Sequence, residues 1–500
     1  MSHIHPRFAV ATALTAALLL TTSCSKQKQC KYHPAEVQRI LISSDIGGTD
    51  PDDNQSMLHL LMYSNEFDIE GLVSSPSYGT GSKEEILRMI DLYQWDLPKL
   101  RAGYYKYLTE QGFIKADTAA FATGCFDFQK VREGYVMRDF MEPDSLRAIT
   151  KQGRQDESPI QGYDQPTEGS DWIVQCAKKE DARPLYVLVW GCLEDVAQAL
   201  HDAPEIAPKL RVYWIGGPNK KWGTNAYTYI INHFPDLWFI ENNASYRGFI
   251  ASSKDSSEYQ AGFWQAHMKG HGAIGDTFGN YYAGVPKMGD TPSLLYMMGG
   301  RMLNTTRVYK VMDPADPTME NWGGQYEPMT VSPKYIITGP LAETDTVPCY
   351  AIMEWQLDGP VVNIPYDSVA FTLTVANQTW RGHYMGNGHY CVRYAPKAPA
   401  TLPYVISSPI AEFPCHEGVF VAGDHWPAVD EYQTTSPTIT AHHAKLGSHW
   451  WTDMSDTSLQ SGVSDYEDGS KQDASWQGAS TVAKWREDVM KDWALRFSWL

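Results

Sequence analysis

Between Arg39 and Leu72 the chain reads RILISSDIGGTDPDDNQSMLHLLMYSNEFDIEGL, in which Asp45, Asp50, Asp52 and Asp53 bring four carboxylates within nine residues. Like charges so close repel one another. Three arrangements relieve them: solvation in an open turn, capping of the helix that follows, or neutralisation by a hard cation such as Ca2+, which takes oxygen ligands. Which of these applies depends on where neighbouring elements put the loop.

The run 39–44 reads as a fully buried strand, and 53–64 as a helix with Met57, Leu58, Leu61 and Met62 on its apolar face. Asp52 or Asp53 is its expected N-cap. A second apolar run spans 69–74, followed by an amphipathic stretch at 83–95. Strand and helix in alternation predict a parallel α/β sheet, whose ligands lie beyond the carboxyl ends of the strands. The Asp loop follows the first strand directly and therefore falls at such an end.

Residues 102–165 are aromatic, charged and weakly periodic, with helices the main expectation. Beyond them come a helix at 168–178, a strand at 184–190 (PLYVLVW), a helix at 196–201, a strand at 210–216 ending in Gly-Gly-Pro-Asn, and a strand at 237–241 closing at Asn242-Asn243. A loop-rich stretch with His267, Lys269, His271, Asp276 and Asn280 leads to Lys287-Met288-Gly289-Asp290-Thr291-Pro292-Ser293 and a helix start at 294–298. Near Met329 the texture changes to short β-branched runs at 335–338, 369–375, 390–394 and 418–422, broken by Pro, Gly and Asn. These predict an all-β segment. The last run, 480–500, is again amphipathic, and a lone helix after a β domain is better placed as the end of the α/β domain. The expected fold is thus α/β, an open and mostly parallel sheet with an inserted all-β domain. Its predicted divisions are 38–328, 329–445 for the insertion, and 446–500 for the return.

A chain of 500 residues exceeds what one hydrophobic core usually supports. The net charge of −18 offers no basic field to displace counterions from phosphates, which argues against a nucleic-acid partner. At the N-terminus, Arg7, the apolar run 8–20 and Thr21-Thr22-Ser23-Cys24 have the pattern of a lipoprotein signal peptide over 1–23, with Cys24 the residue to be acylated. The run is short for a membrane span. Export to the bacterial cell envelope is expected, with membrane contact through the lipid on Cys24 alone and residues 24–37 as a linker. Seven other cysteines match no zinc spacing, and Cys176 and Cys192 lie in apolar contexts that predict buried thiols.

The stretch DIGGTDPDDNQSM…LLMYSNEFDIEGL, with PLYVLVWG, MGDTPSLL, NWGGQY and KWREDVMKDWALRFSW, resembles the nucleoside-hydrolase-like family of bacterial cellulose-associated secreted proteins, a branch of the inosine-uridine nucleoside hydrolase superfamily. The resemblance implies an open sheet of nucleoside-hydrolase type with a Ca2+ site at its carboxyl edge. It implies that Asp45, Asp53, Asp290 and the carbonyl of Trp190 bind the metal, that Asp45 also accepts a proton from the attacking water, and that Asp52 contacts the sugar. Asn225 and Asn242 are further candidates for sugar hydroxyls. This sequence departs from the nucleoside hydrolases in three places: three extra residues stand between Asp45 and the Asp52-Asp53 pair, Ser43 replaces the first Asp of their motif, and Gly289 stands where some of them carry a His that protonates the leaving base. His267 or His271 could supply that acid.

The expected activity is Ca2+-dependent hydrolysis of an N- or O-glycosidic bond in a nucleoside-like or oligosaccharide substrate. The alternative is a catalytically inactive carbohydrate-binding envelope lipoprotein, for which the abundant Trp and Tyr would be sugar platforms. The expected partner is a sugar-containing small molecule or glycan. Oligomeric state is open, a homodimer included.

Overall fold

The strand Arg39–Ser44 is buried along its whole length in the computed structural model, which describes residues 37–115, 117–123, 130–132, 135–298, 312–423, 436–456, 460–465 and 471–500. Cys24 and the export segment lie outside the described residues. The strand belongs to an eight-stranded sheet in the order 150–152, 68–74, 39–44, 185–189, 210–215, 238–242, 450–453, 326–328. Neighbours run parallel except at the last pair, which is antiparallel. Apart from a register shift where Arg39–Ser44 pairs with Asp68–Ser74, side chains alternate between faces, as a period of two requires. Ile40, Ile42, Leu72, Leu188, Tyr213 and Ile240 enter one core, and Leu41, Val73, Val187, Val212, Trp214 and Phe239 the other.

Helices Asp52–Met62, Lys83–Glu110, Thr291–Met298 and Arg486–Phe497 cover the first face, and Glu168–Lys178, Glu194–Asp202 and Thr224–His233 the second. The chain leaves the sheet after Tyr326–Pro328 and returns at Trp450–Asp453, two strands that pair with each other. Between them a nine-stranded, mostly antiparallel sheet is built. Its core residues Trp355, Leu373, Tyr394 and Phe420 belong to the same apolar cluster as the second face of the parallel sheet. The β segment is therefore an insertion that shares a core with its host. The terminal helix returns to the first face, where Arg496 donates to the carbonyl of Met62 at 2.8 Å and to Glu66 at 3.0 Å, its guanidinium 3.7 Å from the Tyr63 ring centre.

Three local expectations change. The helix begun at Lys83 runs to Glu110 with Pro98 inside it, because Leu97, Leu100, Tyr104, Tyr105 and Leu108 are buried on one face and that packing offsets the backbone bond proline removes. The helix at Asp52 has Pro51 at its N-cap, and neither Asp52 nor Asp53 caps it; Asp53 instead accepts from the Ser44 hydroxyl. The terminal run is two helices, Ala479–Ala483 and Arg486–Phe497. Cys176 and Cys192 are buried free thiols. No helix among the described residues is long and apolar enough to cross a membrane.

Candidate functional site

From the strand Arg39–Ser44 the chain first builds outward to 68–74 and 150–152, then returns to lay 185–189 on the strand's other side. The connections after Ser44 and Val189 thus leave in opposite directions, which opens a crevice at the carboxyl edge. Gly191 lets the two loops approach, since a Cβ there would stand 2.5 Å from Ser75 Oγ and 2.9 Å from Asp45 Cβ. The crevice is a cavity of about 770 Å³ lined by Asp45, Asp50, Asp52, Asp53, Trp190 and Asp290, among others.

Oxygens of Asp52, Asp53 and Asp290 lie within 4.8 Å of one another. Asp53 and Asp290 are buried, and Oδ2 of Asp290 has no hydrogen-bond partner. Burial, then the charges of the neighbouring aspartates, raises all three carboxyls well above the ordinary range. Such a group is costly as anions unless positive charge compensates it. Oxygens bound to one Ca2+ at ~2.4 Å stand no more than ~4.8 Å apart, so the donor set and its spacing fit a hard cation. Asp45 adjoins the set: burial raises its carboxyl to about 6, while hydrogen bonding with Asp53 and Ser77 works in the other direction.

The three carboxylates at common spacing are Asp52, Asp53 and Asp290, so Asp52, expected at the sugar, lies in one group with the expected ligands Asp53 and Asp290, and Asp45 lies beside it. Trp190 lies on the cavity wall; its carbonyl accepts from Asn219 Nδ2 at 2.7 Å and its indole donates to Ser293 at 2.8 Å. Asp50, expected to be solvated, is exposed but accepts from Lys287 Nζ at 2.5 Å.

Asn225, Asn242 and His271 are not in the cavity wall. Asn225 donates to Glu157 and to the carbonyl of Ser158, and accepts from Arg393. Asn242 is fully buried, donating to Tyr213 and Tyr326 and accepting from Ser245 and the Tyr246 amide, so it is a brace for the sheet edge. His271 Nδ1 meets the Phe497 carbonyl at 3.1 Å, and His267 stacks on Tyr259; neither serves the cavity. At Gly289 a Cβ would lie 3.1 Å from Asp52 Oδ2 and 3.3 Å from the Tyr246 ring, leaving little room for a histidine.

The family described as "Cellulose-binding Sde182, nucleoside hydrolase-like domain" matches residues 39–326, more than half of the sequence. The chain belongs to this family. Residues 346–409, within the inserted sheet, match a domain of unknown function, DUF5060. Among solved structures, a nucleoside hydrolase-related hypothetical protein from Saccharophagus degradans, associated with carbohydrate metabolism, is 16% identical with a TM-score of 0.42, the match covering 78% of this chain and 100% of that one. The inosine-uridine preferring nucleoside hydrolase from Bacillus anthracis is 13% identical with a TM-score of 0.33, covering 59% and 86%. A search of curated proteins finds no match.

Several wall residues of this nucleoside hydrolase-like domain were not singled out from sequence. Ser77 donates to Asn219 Oδ1, and Asn219 in turn fixes the Trp190 carbonyl. The available signal was position alone: Asn219 closes the Gly-Gly-Pro-Asn end of a strand, and Ser77 follows the strand Asp68–Ser74. Lys287 lies three residues before Asp290. Burial works against its ammonium, but Asp52 and Asp50 more than offset that and raise it.

Proposed function

We propose that this chain is a Ca2+-dependent hydrolase of glycosidic bonds, acting on a sugar-containing small molecule or oligosaccharide. The observation that carries the reading is the meeting of Asp52, Asp53 and Asp290 within 4.8 Å at the crevice, with Asp290 Oδ2 unpartnered. These three side chains would hold the cation, whose chemistry is to polarise oxygen ligands and orient water and sugar hydroxyls. Asp45 is the proton acceptor: with its carboxyl at about 6 it is largely ionised near neutral pH yet basic enough to take a proton from an attacking water. Ser77 and Asn219 hold the adjoining wall in place, tying the 75–79 loop to the Trp190 carbonyl. Lys287 draws Asp50 aside and leaves the other carboxylates facing the cavity.

Gly289 favours a second reading, a carbohydrate-binding protein without turnover, because the cavity wall among the described residues includes no histidine to protonate a leaving group. A screen of nucleosides and aryl glycosides with Ca2+ separates the two. Turnover that both chelation and Asp45→Ala abolish supports hydrolysis, and turnover surviving Asp45→Ala overturns the assigned base. Glycan binding with no turnover, unchanged in Asp45→Ala, supports the binding reading. We also propose export and lipid tethering at Cys24, for which loss of fatty-acid labelling in Cys24→Ala is the expected outcome.

A further inference from the structure

The inserted sheet reaches the cavity. Gln378, which opens the strand Gln378–Gly386, and Lys397, in the loop after His389–Tyr394, both stand in its wall. The same strand carries Trp380, whose indole donates to the carbonyl of Lys221 at 3.0 Å and whose ring lies flat on Trp222, centroids 4.9 Å apart at 10°. Trp222 ends the short helix Gly217–Trp222, and Tyr78 meets it at 4.7 Å with the rings tilted by 40°. Tyr78 is 56% exposed, Trp222 is half-buried, and both line the cavity.

These contacts make a continuous run of aromatic rings, of which Tyr78 and Trp222 face the cavity. Tyr78 and Trp222 touch, so no flat ligand slides between them, and Trp380 covers one face of Trp222. Asn219, bonded to the Trp190 carbonyl, precedes Trp222 by one helical turn, ~4.5 Å along the axis. Tyr78 and Trp222 thus line the same cavity as the carboxylate set. A planar base gains from stacking on both faces, whereas a pyranose has an apolar C–H face suited to one aromatic surface and hydroxyls at its edge suited to an amide such as Gln378. The cavity volume of about 770 Å³ is ample for more than one sugar ring.

We propose that Tyr78, Trp222 and Gln378 form a subsite for a second pyranose ring, with the inserted sheet as its specificity-determining wall. The proposal rests on the reading of the carboxylate set as the reactive end, and makes the substrate an oligosaccharide.

The test reads affinity and so does not depend on turnover. Full-length protein carrying Asp45→Asn, with Ca2+ present, is titrated calorimetrically with gluco-, manno- and galacto-configured disaccharides, the matching monosaccharides, inosine and uridine. At least one disaccharide should bind at least tenfold tighter than its monosaccharide. Tyr78→Ala and Gln378→Ala, at exposed and half-exposed side chains, should each reduce that ratio to threefold or less. Nucleosides binding more tightly than every disaccharide, no disaccharide binding at all, or a ratio unchanged in both variants would overturn the subsite. Loss of turnover in all assays with the ratio intact would overturn only the hydrolytic reading.

Discussion

Two groups of buried acids sit on the carboxyl edge of the parallel sheet, and they are handled in opposite ways. Glu241, in the strand Trp238–Asn242, is fully buried and receives Lys220 Nζ at 2.6 Å, the Tyr227 hydroxyl at 2.6 Å and Asn243 Nδ2 at 2.9 Å. Every oxygen is answered by the chain itself. Asp52, Asp53 and Asp290 gather three carboxylates, and the lysine beside them bonds to Asp50. An acid compensated from within braces the fold, whereas acids left to share one another's field have a spacing that fits a hard cation.

Breaking the compensated group should have the largest effect. Glu241→Ala leaves the Lys220 ammonium buried without its counter-charge, and a loss of about 3–5 kcal/mol in urea unfolding is expected. The same experiment on chelated Asp53→Asn should show the reverse sign, a rise in stability, because one of the mutually repelling carboxyls has gone. If Asp53→Asn destabilises the chelated protein as Glu241→Ala does, the contrast fails.

Ca2+ sharpens the comparison next. At a hundredfold excess over its Kd the ion should stabilise the parent by about 2.7 kcal/mol, read as a rise in Tm, and leave Asp53→Asn unmoved.

A third group tests whether burial alone governs such acids. Glu194 is buried, accepts a 3.4 Å bond from the Ser158 amide and has an unpartnered Oε2; burial raises its carboxyl from 4.5 to about 8. Between those values the native state keeps a proton that the unfolded chain has released, so stability falls as pH rises from about 4.5 to 8. Glu194→Gln, which mimics the neutral acid, should flatten that part of the Tm profile and be the more stable protein at pH 8. The smallest change is expected at the partly exposed Lys287–Asp50 pair, where Lys287→Met should shift stability by about 1 kcal/mol or less.

Five strands of the parallel sheet were legible because each is a short, nearly continuous apolar run between polar or small residues, whereas Thr150–Gln152, Tyr326–Pro328 and Trp450–Asp453 were not. Arg39–Ser44 occurs where the pattern puts it, as does Val369–Val375 in the inserted sheet. The long helix Lys83–Glu110 was legible only in its first half, since beyond Pro98 its burial depends on partners distant in sequence, among them Trp499 against Tyr104 and Tyr107. The sugar contacts assigned to Asn225 and Asn242 fared differently. An amide at a strand end can face a ligand or brace a neighbour, and what lies opposite decides which.

The sequence by itself determined that four aspartates would follow the first strand and that Asp290 would lie in the segment leading to a later helix, because apolar periodicity and turn residues act over a few positions. Only the tertiary structure decided that Asp52 joins Asp53 and Asp290 while Asp45 stands beside them. The spacing of carboxylates depends on the loop's path across the crevice, which residues far along the chain, Gly191, Asn219 and Lys287, hold in place. The insertion's part in the cavity was likewise decided in three dimensions, by a core it shares with the host sheet and by one tryptophan, Trp380, lying on another.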